Sequence, residues 1–135
     1  MTIKIRDDRG LPYDQVISLY ESVGWSCARK PDLLHRAVLG AHSVVTAWDG
    51  ARMVGLGYAI SDGHLVVYYP HLVVAPAYQG RGIGSALMQR LMVRYHEFHM
   101  QSLIADGRSL DFYRNLGFRA AGKTSPLWIY DGDEH

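Results

Sequence analysis

The stretch from His71 to Ala86 (HLVVAPAYQGRGIGSA) constrains the fold more than any other part of the chain. A β-branched run ends at Val74, and Pro76 closes the strand. Gln79, Gly80, Arg81, Gly82, Ile83 and Gly84 form a glycine-rich turn, and an amphipathic pattern then runs from about Ile83 to His96. Strand, glycine turn and helix in that order make an anion site. The first amides of a helix lack intrahelical partners and sit at the positive end of its dipole. Glycine lets a phosphate approach the backbone and supplies positive φ where the turn needs it. Arg81 adds a planar cation suited to phosphate.

The spacing narrows the ligand. A Walker loop needs Gly-Lys-Ser/Thr at the helix start, and this turn has no lysine. A dinucleotide fingerprint needs G-x-G-x-x-G, but the glycines stand at 80, 82 and 84. What fits is Gln-x-x-Gly-x-Gly, with Gln79, Gly82 and Gly84. With the preceding Val-Val-Ala-Pro-Ala-Tyr, it closely resembles the acetyl-CoA-binding motif of the GCN5-related N-acetyltransferases (GNAT family). The resemblance implies that the turn, Gln79 to Ser85, holds the pyrophosphate of coenzyme A.

A second segment carries the same resemblance. Asp111-Phe-Tyr-Arg-Asn-Leu-Gly-Phe118 matches the family's Tyr-x-x-x-Gly-Phe signature on a short helix after the fifth strand, with Tyr113, Gly117 and Phe118 in place. Gly117 suits a left-handed helix end, and Phe118 is expected to start and anchor the next strand. By itself Tyr113 reads as a core aromatic; two family motifs in order favour a functional tyrosine.

Composition sets the bounds. At 135 residues the chain has the length of one domain, 1–135. A net charge of +1 with no basic tract disfavours nucleic acid as a partner. Cys27 is the only cysteine, so no intrachain disulfide forms, which fits a reducing cytoplasm. No signal peptide is read at the N-terminus and no membrane span anywhere. The histidines at 35, 42, 64, 96, 99 and 135 have no metal-ligand spacing, and no metal is expected.

Periodicity predicts the following order. Thr2–Arg6 alternates as a strand, and Asp14 caps a helix that Gly24 ends. Pro31 and Asp32 open a second helix. Ser43–Trp48, Met53–Ile60 and His64–Val74 form a meander through turns at Asp49-Gly50 and Asp62-Gly63. Ile83, Leu87, Met88, Leu91, Met92 and Tyr95 form the core stripe of the long helix. Gln101–Ala105 is a buried strand reached by that crossover and therefore parallel to an earlier strand. A short helix covers Ser109–Leu116, and 118–121 and 126–130 are the expected last strands. This order matches the α/β GNAT fold, a mixed and mostly antiparallel sheet flanked by helices.

The resemblance, to a small bacterial-type member, implies acetyl transfer from acetyl-CoA to an amine in a ternary complex. Tyr113 would protonate the departing thiolate. In the family the strand ending at Val74 splays from the next one, so pantetheine would pair with its edge, the Val74 amide facing the thioester and Leu72 and Val73 lining the path. Many relatives carry a carboxylate base on this strand, but Tyr68-Tyr69-Pro70-His71-Leu72 has none. His71 titrates near neutrality and is the candidate base, although it reads equally as a satisfied strand histidine. Asp62, or a water shared with Tyr69, are the alternatives. Pro70 cannot donate to a ladder and predicts a bulge or an unpaired edge. Trp25, Tyr20, Tyr58, Tyr68 and Tyr69 offer either an aromatic pocket for an ammonium or ordinary core. The acceptor is a small-molecule or peptide amine, and a homodimer is compatible with the family. A non-catalytic acyl-CoA-binding or sensor module of the same fold is the competing reading.

Overall fold

A computed structural model of the chain describes residues 2–133; His135, named above, lies outside them. Five strands form one sheet in sequence order: β1 Ile3–Arg6, β2 Ser43–Asp49, β3 Arg52–Ser61, β4 Val66–Val74 and β5 Met100–Ser102. The first four pair antiparallel, and β4 pairs with β5 in parallel. The helices are α1 Tyr13–Val23, α2 Pro31–Leu39, α3 Ile83–Met92 and α4 Leu110–Asn115. This is the mixed, mostly antiparallel α/β arrangement that the sequence implied.

Both faces of the sheet are covered. Val44, Trp48, Met53, Leu56 and Tyr58 pack with Val16, Tyr20 and Val38 from α1 and α2. Their neighbours Val45, Ala47, Val54 and Ala59 pack with Ile83, Leu87, Met88 and Leu91 of α3. The two-residue alternation sends adjacent side chains into different cores, which is why β2 and β3 are buried along almost their whole length. Gly55 lets α3 lie close, because a Cβ there would stand 2.8 Å from Leu87 Cδ1.

Several boundaries differ from the sequence reading. Asp14 does not cap α1; Pro12 stands at the cap and Asp14 lies in the first turn, where its charge suits the dipole. The α-helix of the core stripe ends at Met92, and Val93–Tyr95 tightens into a 3-10 turn. The strand expected at 101–105 is Met100–Ser102, short and only partly buried. The expected strands at 118–121 and 126–130 are absent. Gly117 and Gly122 take positive φ of 102° and 64°, and the amides of Gly122 and Thr124 bond to Ala120 and Ala121 two or three residues back. These local turns replace a ladder. Phe118 still acts as an anchor, its ring 6.1 Å from Tyr69 and 6.0 Å from Tyr113.

Asp62 serves the β3–β4 turn. Its Oδ1 accepts the amides of His64, Leu65 and Val66 at 2.9, 2.9 and 3.2 Å. These bonds favour the carboxylate and pull its pKa down to about 2. The folded value lies below the unfolded one, so the turn keeps this contribution above about pH 4 and loses it as pH falls through about 2. A carboxyl NMR titration is expected to place the Asp62 midpoint near 2; a midpoint near 4, the unperturbed value, would remove the carboxylate from the turn.

Candidate active site

The pairing of β4 with β5 stops at Tyr68 and Ser102. Opposite this point the β3–β4 register slips between Tyr58 and Ile60, so β4 carries an extra residue at Tyr69-Pro70, where the donor-less proline predicted a bulge. Beyond it the two strands part. The amide of Ala75 bonds to Val54 O at 2.9 Å. Antiparallel pairs alternate, so the partners of Val73 and His71 also lie on β3, and Leu72 and Val74 turn their amides and carbonyls toward the gap. Gln79 Nε2 donates to Val74 O at 2.9 Å, which holds the turn against that open edge.

The turn itself is built on backbone. Gly80 and Gly82 sit at φ 76° and 80°, and Gly82 caps α3, accepting the Ala86 amide at 3.1 Å. The amides of Ile83, Gly84 and Ser85 therefore begin the helix without an intrahelical acceptor. Gly84 is helical; a Cβ there would touch Phe112 at 3.4 Å and Leu72 at 3.8 Å. The missing side chain leaves room for no more than a methyl in contact with both β4 and α4.

Turn, open edge and α4 enclose one cleft of about 940 Å³, at the upper end of ordinary small-molecule sites. Of the residues singled out in the sequence, Leu72, Val74, Gln79, Gly80, Gly82 and Ile83 line it, as do Gly84, Ser85, His71 and Tyr113. Two do not. Val73 was expected along the path, but its side chain points into the core at 1% exposed. Arg81 stands outside the cleft wall, its guanidinium 5.5 Å over the Tyr78 ring.

Tyr113 is placed by the Tyr-x-x-x-Gly-Phe motif. The Phe118 amide bonds to Tyr113 O at 3.1 Å and the Gly117 amide to Arg114 O at 3.0 Å. This is the paired helix ending that a left-handed glycine permits, with Phe118 packed back on Tyr113. Burial pushes the Tyr113 phenol up from its ordinary value, so it stays protonated.

His71 is held from several sides. Tyr20, Trp25 and Tyr58 meet its ring edge-on at 5.3, 5.3 and 5.2 Å. The Tyr20 hydroxyl lies 2.9 Å from Nδ1. Tyr20 is fully buried, and burial drives its phenol well above the usual range. Among the described residues that nitrogen is its only hydrogen-bond partner. Which atom donates follows the imidazole tautomer, and in either case the contact orients the His71 ring from α1. His71 lines the cleft, where the sequence placed the candidate base. Of the alternatives, Asp62 is committed to its turn, and the Tyr69 hydroxyl donates to Gln101 at 2.7 Å. Tyr20 and Tyr58 belong to the core, whereas Trp25 and Tyr68 line the cleft.

Sequence reasoning missed Trp128 and Tyr130, which also line the cleft. The signal lay in the opposed charges of Asp131 and Asp133 against Arg29 and Lys30, which bond across the fold at 2.7 and 2.8 Å. Among the described residues no group of three or more His, Cys, Asp or Glu gathers to hold a metal, and no helix is long and apolar enough to cross a membrane.

Residues 40–120 match the acetyltransferase (GNAT) domain family. A GNAT-family acetyltransferase from Streptococcus pneumoniae TIGR4 superposes with a TM-score of 0.84 at 30% identity, over 96% of this chain and 99% of that one. A probable acetyltransferase from methicillin-resistant Staphylococcus aureus gives 0.84 at 26% identity, over 96% and 99%. The histone acetyltransferase TAP1 of Glycine max is 37% identical over 71 residues, 51% of this chain and 31% of that protein. This chain thus spans about a third of the length of such curated relatives. The chain belongs to the GNAT family of acetyltransferases.

Gly84 gives a direct test of the cleft. Gly84→Ala should stabilise α3 by about 0.5–1 kcal/mol, since glycine is costly in a helix and the added methyl has room. Gly84→Leu should fold but lose acetyl-CoA affinity by tenfold or more, because its side chain occupies the space between Phe112 and Leu72. Calorimetric titration checks this, and undiminished affinity in the leucine variant would remove the ligand from this gap.

Proposed function

We propose that the chain transfers the acetyl group of acetyl-CoA to an amine by direct attack within a ternary complex. The observation that carries this reading is the continuity of the cleft: helix-start amides at Ile83–Ser85, then the open edge at Val74 and Leu72, then Tyr113 and His71. The donor set fits coenzyme A: backbone amides for the pyrophosphate, and unpaired strand amides for the pantetheine arm.

Bound acetyl-CoA supplies an acetyl group activated as a thioester. The amine nitrogen forms the new C–N bond as the C–S bond breaks, and the proton that nitrogen sheds balances the one that sulfur gains. The Val74 amide faces the carbonyl oxygen. Tyr113 donates its hydroxyl hydrogen toward sulfur. A phenol near pKa 10 giving its proton to a thiolate near 8.5 is uphill by about 2 kcal/mol, and burial raises the phenol further. Tyr113 therefore hydrogen-bonds to the developing thiolate and yields its proton as another reaches it. His71, oriented by Tyr20, accepts the proton that nitrogen sheds and passes it to water at the cleft mouth. A reducing, cytoplasmic setting suits the lone Cys27.

Acetyl-CoA at about a hundred times its Kd is expected to stabilise the fold by nearly 2.7 kcal/mol, with NADH and ATP doing much less. A larger thermal shift with NADH would overturn the reading. Stabilisation by acetyl-CoA with no thiol release across a panel of amines would leave a binding module without transfer.

A further inference from the structure

We propose that the acceptor is a primary amine carried on a planar aromatic body, and that Trp128 is the residue that selects it; the inference rests on the acetyl-transfer reading above. Among the described residues, the segment from Arg119 to Asp133 has no helix or strand, yet Tyr130–Asp133 are tied down. Asp133 and Asp131 pair with Arg29 and Lys30, the Asp133 amide donates to Ser26 Oγ at 3.1 Å, and the Tyr130 hydroxyl lies 3.2 Å from the same oxygen. Gly132 allows this close pass, since a Cβ there would lie 2.6 Å from Ser26 Oγ.

These ties form a strap that carries Trp128 and Tyr130 to the wall of the cleft shared with Trp25, Tyr68, His71 and Tyr113. The two rings stack at 4.6 Å and 21°. Trp128 remains 61% exposed. Its ring is therefore not needed by the core, and the exposed ion pairs that hold the strap add little stability. A large ring on a cleft wall, backed by Tyr130 and still mostly exposed, is a stacking surface.

The charges decide which amine suits it. Among the described residues, the charged side chains lining the cleft are Asp106 and Arg108, which face each other at 3.4 Å. Asp131 and Asp133, nearby on the strap, are engaged by Lys30 and Arg29. A polyamine or a basic peptide would bring further cations to walls without a spare carboxylate. An arylalkylamine brings one. Its ring stacks on Trp128 and Trp25, its ammonium is drawn by the aromatic faces, and partial desolvation favours the neutral amine that attacks.

The test compares 2-phenylethylamine, hexylamine, spermidine and a lysine-containing peptide with wild-type protein, Trp128→Ala and Trp128→Phe. The expected kcat/KM for 2-phenylethylamine exceeds that for spermidine and for the peptide by at least tenfold. Trp128→Ala should raise its KM about tenfold with the KM for acetyl-CoA unchanged and hexylamine little affected, and Trp128→Phe should restore most of the loss. A preference for spermidine or the peptide, or an equal effect of Trp128→Ala on every amine, would overturn the proposal. Direct titration of 2-phenylethylamine in the presence of coenzyme A separates the two readings. Trp128-dependent binding without turnover would refute transfer and keep the aromatic site, and turnover of other amines without such binding would do the reverse.

Discussion

Tyr113→Phe is expected to slow acetyl transfer by roughly 10²- to 10⁴-fold, the range for a lost general acid, with acetyl-CoA affinity almost unchanged. The variant keeps the ring and its packing on Phe112 and Phe118 at 4.9 and 6.0 Å, and removes only the hydroxyl. The C-terminal turn that positions the residue uses backbone atoms and survives the change. Charge develops on sulfur only as the bond breaks, so the missing donor appears in the rate and not in ground-state binding. Single-turnover transfer with affinity measured separately checks this. An unchanged rate would leave Tyr113 as a packing residue, and lost affinity would make it a binding residue.

Leu87→Ala should give the largest loss of stability, about 2–5 kcal/mol, from lost burial plus the cavity left behind. Leu87 is fully buried and fills the space that Gly55 leaves beside the sheet. It lies one turn into α3 from Ile83, so it also presses the start of the helix, and the phosphate turn with it, onto β3. Denaturant titration should show a lower midpoint with an unchanged slope. A loss under about 1 kcal/mol would mean that α3 is not seated as described.

Local signals in the sequence reached most of the fold and missed what depends on distant partners. The Asp49-Gly50 turn, the α3 stripe and the proline bulge are each written in neighbouring residues, and each is found where the pattern placed it. Leu127-Trp128-Ile129-Tyr130 is a short apolar run that reads as a strand. Yet Leu127 and Ile129 are almost wholly exposed, and Tyr130, Asp131 and Asp133 are held by Ser26, Lys30 and Arg29 about a hundred positions earlier. Sequence alternation says nothing of such a partner. The same holds for His71. Its place on the strand was legible, but the Tyr20 hydroxyl that orients its ring comes from α1 across the core. Val73 shows the limit of a motif: adjacent residues on one strand face opposite ways, and only Leu72 and Val74 reach the cleft.

Acetyl transfer itself is the central claim, and following both products of one reaction tests it most directly. The protein is incubated with acetyl-CoA labelled in the acetyl group and with 2-phenylethylamine among a panel of amines. Labelled N-acetyl amine and free coenzyme A thiol are expected in equal amounts, both abolished with heat-denatured protein and both slowed at least a hundredfold by Tyr113→Phe. Thiol release without labelled amine, or labelled amine formed equally fast by the Tyr113→Phe protein, would contradict it.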